Sequence, residues 1–226
     1  MHTFSRSFIL ISLLGLATAA PAQAQEGGTR QAGFDCSKAA SLTEKAICND
    51  DDTAEADRAM SIAFRALVDR STPDMQAALR QDQQAFLKQR AEAFESPRSN
   101  PQMRQEGLRD RTEMRAEFFN WIATTPATSF IGTWRNAWGI IEVKQAAHGR
   151  LAVDFEVADQ ANGSWLCRFS GELEHNFTDE AIMASDAGPL QMNLDGAMLR
   201  IPTPFCDETT SGGFGTAAGT YFRIGT

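Results

Sequence analysis

Histidine is scarce in this chain of 226 residues: it contains three, two of which follow the first 24 residues, at His148 and His175. Neither lies near a cysteine at the spacing typical of a zinc site. The chain also lacks a Gly-x-Ser-x-Gly nucleophile motif, and we expect no catalytic residue, no cofactor and no metal. These absences argue against an enzyme. Glu172 and Glu174, two apart on a predicted strand, leave a hydrolase with paired carboxylates as an alternative.

Basic residues are outnumbered, with 21 lysines and arginines against 29 acids and a net charge of -8. Residues 1–24 contain one arginine, Arg6, and no acid, so the remaining chain has 20 basic and 29 acidic residues, a net charge of -9. Because acids are in excess, we expect no basic surface that could neutralise phosphate groups. This argues against nucleic acid and anionic membranes as partners. The acidity suits a cationic partner attracted over long range, or alternatively keeps an exported protein soluble.

Long apolar runs are missing beyond a short one at residues 8–17. That run is too short for a bilayer, which needs about 20 apolar residues, but it fits the apolar region of a signal peptide. Arg6 precedes it, and Ala22 and Ala24 supply small residues where a signal peptidase reads the chain. We therefore predict a signal peptide over residues 1–24 and a periplasmic or secreted protein that is not inserted in a membrane after cleavage.

Four cysteines are present, Cys36, Cys48, Cys167 and Cys206. An exported protein meets oxidising conditions, so disulfides are expected, and four cysteines allow three pairings. Spacing and composition favour Cys36 with Cys48 and Cys167 with Cys206, which would place each bridge inside its own domain.

The hydrophobic pattern changes from helical to strand-like across a Pro/Thr linker near residues 123–128. Residues 25–33 are polar and Gly-rich, and we expect them to form a flexible lead. We predict a helical domain over residues 34–123 and a β domain over 130–226. The expected fold class is α+β, an N-terminal antiparallel helical domain followed by a C-terminal antiparallel β-barrel or sandwich.

Capping signals mark the starts of the predicted helices. Ser41 and Glu44 form a capping box, and Thr72 and Asn100 each precede a proline, as at a helix N-terminus. The three acids at residues 50–52 are placed at the start of the second helix, where the helix dipole favours negative charge. The alternative, a calcium loop, lacks the glycine and the distal glutamate of an EF-hand.

Turn signals recur in the second half of the chain, and apolar residues alternate with polar ones between them. We predict about seven or eight short strands. An eight-strand barrel is wide enough for one small ligand, so a small-ligand-binding barrel is an alternative function. The residues that would line its cavity, or else fill the core, are aromatic: Trp134, Trp138, Trp165 and Phe169.

Three short segments of the helical half form a distinctive combination: FDCSKA at 34–39, EKAIC at 44–48 and QQAFLKQR at 83–90. Together with Asp57, they make residues 34–120 similar to the N-terminal domain of the LprI-like lysozyme-inhibitor family. Phe86 stands where the family usually has Trp. The matched positions indicate mainly a scaffold, in which Asp57 and Arg90 are expected to pair between antiparallel helices.

The resemblance implies an exported envelope protein that binds and inhibits lysozyme or a similar cationic cell-wall enzyme. Family members often carry a second cysteine pair near the loop between the last two helices. Phe94 and Gly107 stand at about those places here. A structural envelope protein without inhibitor activity is a further alternative, because the same helical module occurs in proteins with no known inhibitor role.

Overall fold

The structure is a computed structural model that describes residues 31–97, 100–174, 179–185, 188–206 and 215–225. The predicted signal peptide at residues 1–24 and His175 lie outside the described residues. A 3-10 turn, Cys36–Lys38, leads into four helices: α1 Leu42–Cys48, α2 Asp51–Asp69, α3 Pro73–Glu95 and α4 Pro101–Trp121. The strands then follow: β1 Gly132–Arg135, β2 Gly139–Gln145, β3 Leu151–Ala158, β4 Leu166–Leu173, β5 Glu180–Ser185, β6 Gly188–Asp195, β7 Met198–Ile201 and β8 Gly219–Ile224.

The predicted α+β fold is confirmed, with the helices first and an antiparallel, nearly closed barrel after them. The strand order is β4-β3-β2-β1-β8-β7-β6-β5, so two meanders of four strands meet where β1 pairs with β8. At the other seam an isolated bridge joins Glu174 to Ile182. The last strand therefore lies between β1 and β7, and the barrel nearly closes between β4 and β5.

Local capping chemistry fixes where each helix begins. The Ser41 hydroxyl accepts from the Glu44 N–H while the Glu44 carboxylate accepts from the Ser41 N–H, which completes the predicted capping box. Thr72 and Asn100 cap α3 and α4, each with proline in the first turn. The acids at 50–52 begin α2, as predicted, because the Asp50 side chain accepts from the backbone N–H of residue 53.

The end of the predicted flexible lead is packed rather than loose. The Gly33 N–H donates to Oδ2 of Asp57 at 3.0 Å. A Cβ atom at Gly33 would overlap the side chain of Ser61 and approach the Asp57 carbonyl, so only glycine fits this close approach to α2. Residues 31–33 therefore belong with the helical half.

Side chains fill the interior of the barrel. Trp134, Ile141, Val153 and Tyr221 are 0–1 % exposed, and Trp134 Nε1 donates to a backbone carbonyl at 2.7 Å. The other candidate cavity residues, Trp138, Trp165 and Phe169, pack against the same apolar cluster. Of the four aromatic side chains that could have lined a cavity, Trp134 therefore belongs to the core, and the other three are partly buried against it.

A second apolar cluster joins the helices to the outside of the barrel. Phe118 and Phe119 of α4 are buried together with Met198 of β7 and Phe222 of β8. Trp121, at the end of α4, remains 53 % exposed although Phe119 and Ile122 on either side of it are buried. Within the described part of the chain, no helix combines the length and the apolar character needed to cross a bilayer.

Candidate functional site

Two buried ion pairs hold the helical half together and connect it to the barrel. The first is the pair expected from the sequence: Arg90 Nη1 lies 2.8 Å from Asp57 Oδ1, with both side chains less than one-tenth exposed. Arg90 Nη1 also donates to the Thr112 hydroxyl of α4 at 3.1 Å. One arginine thus ties together α2, α3 and α4.

The second buried pair reaches the barrel. Arg115 of α4 donates to Oδ2 of Asp82 on α3 at 2.7 Å, and Oδ1 of Asp82 accepts from the backbone N–H of Ala137 at 2.7 Å. Ala137 lies between β1 and β2, so one carboxylate bridges both halves of the molecule. Gln89 adds to this contact, because its side-chain oxygen accepts from the backbone N–H of Gln160, in the connection between β3 and β4.

Beside this contact lies a cavity of about 530 Å³, which we call the interdomain cleft. Helices α3 and α4 form one wall, and β1, β2 and the residues that connect them form the other. Its lining combines apolar and basic side chains: Phe86, Arg90, Arg111, Met114, Arg115, Phe118, Arg135 and Ile140, with Glu156 at its rim. Clefts of this size between domains are common ligand sites.

The side of α4 that faces away from the interdomain cleft, together with the start of α2, carries exposed carboxylates. We call this surface the acidic face and define it by Asp52, Glu55, Glu106, Asp110, Glu113 and Glu117. Four of them, Asp52, Glu55, Asp110 and Glu113, are 54–76 % exposed, and Arg109 lies among them at 3.6–3.8 Å from Asp52, Asp110 and Glu113. Three of these carboxylates also line a shallow groove between α2 and α4. The face therefore keeps an excess of negative charge.

A comparison with protein-family models concerns the helical part, which carries the acidic face and one wall of the interdomain cleft. Residues 36–119 match the family described as Lysozyme inhibitor LprI. No curated protein and no solved structure matches the chain. The LprI match runs from the first bridged cysteine to Phe119, two residues before the end of α4, and leaves the barrel unmatched. The acidic face lies entirely on the LprI part, whereas the interdomain cleft is shared between that part and the barrel.

The predicted disulfides lie one in each half. Cys36 and Cys48 are bonded within the LprI part, with Cα atoms 5.8 Å apart, and fasten the 3-10 turn to the end of α1. Cys167 of β4 is bonded to Cys206, which follows β7. The four cysteines are thus paired as the sequence favoured, and the bridges close loops of sequence separation 12 and 39.

The residues considered for catalysis are not assembled into a site. Glu172 is exposed and pairs with Arg150 at 3.2 Å, and Glu174, also exposed, lies beyond the end of β4. His148 sits in a tight turn with a positive φ of 55° and is exposed. Within the described residues, no group of three His, Cys, Asp or Glu side chains is placed to hold a metal ion.

Sequence reasoning missed the interdomain cleft, although one signal was available. Arg104, Arg111 and Arg115 are spaced by seven and four residues, which places them on one face of α4 at 3.6 residues per turn. That spacing could have indicated a basic stripe. It could not have shown that the barrel packs opposite, because Arg135 comes from β1, beyond the linker.

Proposed function

We propose that this protein is exported to the cell envelope, after cleavage following Ala24, and that it binds and inhibits lysozyme or a similar cationic cell-wall enzyme. The observation that carries this proposal is the match of residues 36–119 to the family described as Lysozyme inhibitor LprI. Two disulfides support export, because such bonds persist in oxidising compartments.

We further propose that the acidic face is the docking surface for the cationic enzyme. It lies on the LprI part and carries six carboxylates, of which the partly exposed Arg58 and Arg109 offset two. Complementary charge of this kind accelerates encounter and selects the partner. The outer face of the barrel is less suited, because three of its acids form local ion pairs with Lys144, Arg150 and Arg168.

Lysozyme activity on bacterial cell walls, titrated with the chain that starts at residue 25, tests the function. We expect saturable inhibition that weakens as ionic strength rises, because exposed charges are screened over about 10 Å at 0.1 M salt. An unchanged lysozyme rate at a large molar excess of the protein would contradict the proposal.

A matched pair of variants tests the surface. The first neutralises the acidic face with Asp52→Asn, Glu55→Gln, Asp110→Asn and Glu113→Gln, and we expect it to lose inhibition by about tenfold or more. The second removes the same four charges from the barrel with Glu142→Gln, Asp154→Asn, Glu172→Gln and Glu174→Gln, and we expect it to inhibit nearly as well as the unaltered chain. Equal losses in both variants would mean that net charge alone matters and would refute the acidic face as the docking surface.

A further inference from the structure

The interdomain cleft has a neighbouring cavity on the same side of α3 and α4. A second cavity of about 390 Å³ adjoins it and shares the lining residues Arg90, Arg111 and Gln160. The second cavity extends between α3 and α4 toward the connection between β3 and β4. The interdomain cleft alone, at about 530 Å³, is large enough for a small organic molecule.

Most charges in the wall of the cleft are already neutralised. Arg90 and Arg115 form the two buried pairs described above, and the rim carboxylate of Glu156 accepts from Arg168 at 2.7 Å. The neutral donors are occupied as well, because the Gln89 side chain bonds to backbone groups at both ends. These groups therefore shape the cleft without adding net charge to it.

Two arginines are left over. Among the described residues, neither Arg111 nor Arg135 forms an ion pair or a hydrogen bond, although both are partly buried; the Arg135 guanidinium lies 5.5 Å from the centre of the Phe118 ring. Burial lowers the pKa of Arg111, and no acid opposes this effect. Burial also lowers the pKa of Arg115; Asp82 opposes this shift, and the nearby charge of Arg135 adds to it. The cleft thus has an excess of positive charge in a protein that is acidic as a whole.

A buried donor in the same wall also lacks a partner. Arg90 is 7 % exposed and lines both cavities, and its Nε–H has no hydrogen-bond acceptor among the described residues. Buried donors are almost always satisfied in folded proteins, by protein groups or by ordered water. The Arg90 Nε atom is itself closed off from the cleft, so the donors available to a ligand are the guanidinium groups of Arg111 and Arg135, which can each donate to an acceptor that carries negative charge.

The rest of the wall is apolar and accessible. Met114 is 50 % exposed and Ile140 is 36 % exposed, and both line the cleft beside the rings of Phe86 and Phe118. Exposed apolar side chains grouped in a concave site gain free energy when a ligand covers them. A ligand that satisfies the whole wall therefore combines an anionic end with an apolar body.

We propose that the interdomain cleft binds a small organic carboxylate, whose negative group is held by Arg111 and Arg135. Its apolar body lies on Phe86, Met114 and Ile140. The site is separate from the acidic face, which occupies the other side of α4, and it takes a ligand of the opposite charge to the enzyme proposed above. The two sites can therefore be tested independently.

Calorimetric titration of the chain that starts at residue 25 tests this site, with 3-phenylpropionate, octanoate and N-acetyl-D-alanyl-D-alanine as probes. We expect saturable binding of at least one acid and affinity about tenfold or more lower for its neutral amide, because each charge-assisted hydrogen bond contributes substantially. Which probe binds best distinguishes an aromatic acid, a fatty acid and a peptide carboxylate as the kind of ligand.

The variant Arg111→Gln with Arg135→Gln should bind the preferred acid at least about tenfold more weakly. Arg58→Gln with Arg80→Gln, which removes two arginines outside the cleft, should bind it unchanged. Thermal unfolding of both variants checks that they fold. No saturable binding of any of the three acids, equal affinity for acid and amide, or unaltered binding by the folded Arg111/Arg135 variant would each overturn the proposal.

Discussion

Breaking the buried pair of Asp57 and Arg90 should destabilise the protein severely. Their side chains are 4 % and 8 % exposed and meet at 2.8 Å. Arg90→Met keeps most of the apolar length of the side chain but leaves the Asp57 carboxylate without its charged partner. Removing one partner of a buried ion pair typically costs about 3–5 kcal/mol. A domain of this size has a total stability of about 5–15 kcal/mol, so the loss should be large in any unfolding experiment.

A second substitution distinguishes the cost of the unpaired Asp57 carboxylate from the cost of lost packing at Arg90. Asp57→Asn combined with Arg90→Met removes the carboxylate charge but retains an oxygen that can accept from the Gly33 N–H. We expect this double variant to recover about 2 kcal/mol relative to Arg90→Met alone, because no buried charge remains unpaired. Arg58→Met is the matched control on α2, since Arg58 pairs with Glu55 at the surface at 3.5 Å and should contribute at most about 1 kcal/mol.

Urea unfolding, followed by far-UV circular dichroism and tryptophan fluorescence, measures these differences. The two signals report on different halves, because the helices dominate the dichroism while three of the four tryptophans lie in the barrel half of the chain. The reasoning would be refuted if Arg90→Met cost no more than Arg58→Met. It would also be refuted if the two substitutions were simply additive, because that would show no coupling between the side chains.

Three further predictions follow from the same structure. Asp82→Ala should cost about 3–5 kcal/mol and separate the two unfolding signals, because it removes both the partner of Arg115 and an acceptor for the barrel backbone. Cys36→Ser with Cys48→Ser should lower the free energy of unfolding by about 3 kcal/mol, as measured in urea against the oxidised chain, because the bridge closes a loop of sequence separation 12. Asp50→Ala should cost about 1 kcal/mol at neutral pH, because a helix cap is lost. Hydrogen bonds from the residue 53 hydroxyl and backbone lower the pKa of Asp50, so this contribution is present above the ordinary aspartate pKa and fades as pH falls through the lowered value. The urea midpoints of the unaltered chain and of Asp50→Ala should therefore converge in acid, and a constant difference down to low pH would contradict this account.

Local features were readable from the sequence because they depend on few neighbouring residues. The capping box of Ser41 and Glu44 spans four positions, and its hydrogen bonds need only the backbone of the same turn. The pairing of Asp57 with Arg90 was also foreseen, since both positions matched one family pattern and lie on consecutive helices. The filled barrel interior followed the alternation of apolar and polar residues along each strand.

Contacts across the linker were not readable. The Asp82 carboxylate accepts from the backbone of Ala137, 55 positions further along the chain, and a backbone N–H carries no signal in the sequence. Gly33 was predicted to lie in a flexible lead, because the sequence does not show that its backbone N–H donates to Asp57 on α2.

The sequence by itself determined the order of helices and strands, the helix starts, the favoured cysteine pairing and the LprI resemblance. These depend on periodicity, capping and motif spacing, which short stretches of chain encode. Only the tertiary structure decided which face of α4 turns to the barrel. That choice leaves the carboxylates of the acidic face in solvent and brings Arg111 and Arg135, 24 positions apart, into one cleft. Its physical reason is the burial of Phe118 and Phe119 against the barrel, a gain in apolar contact that no single segment can achieve.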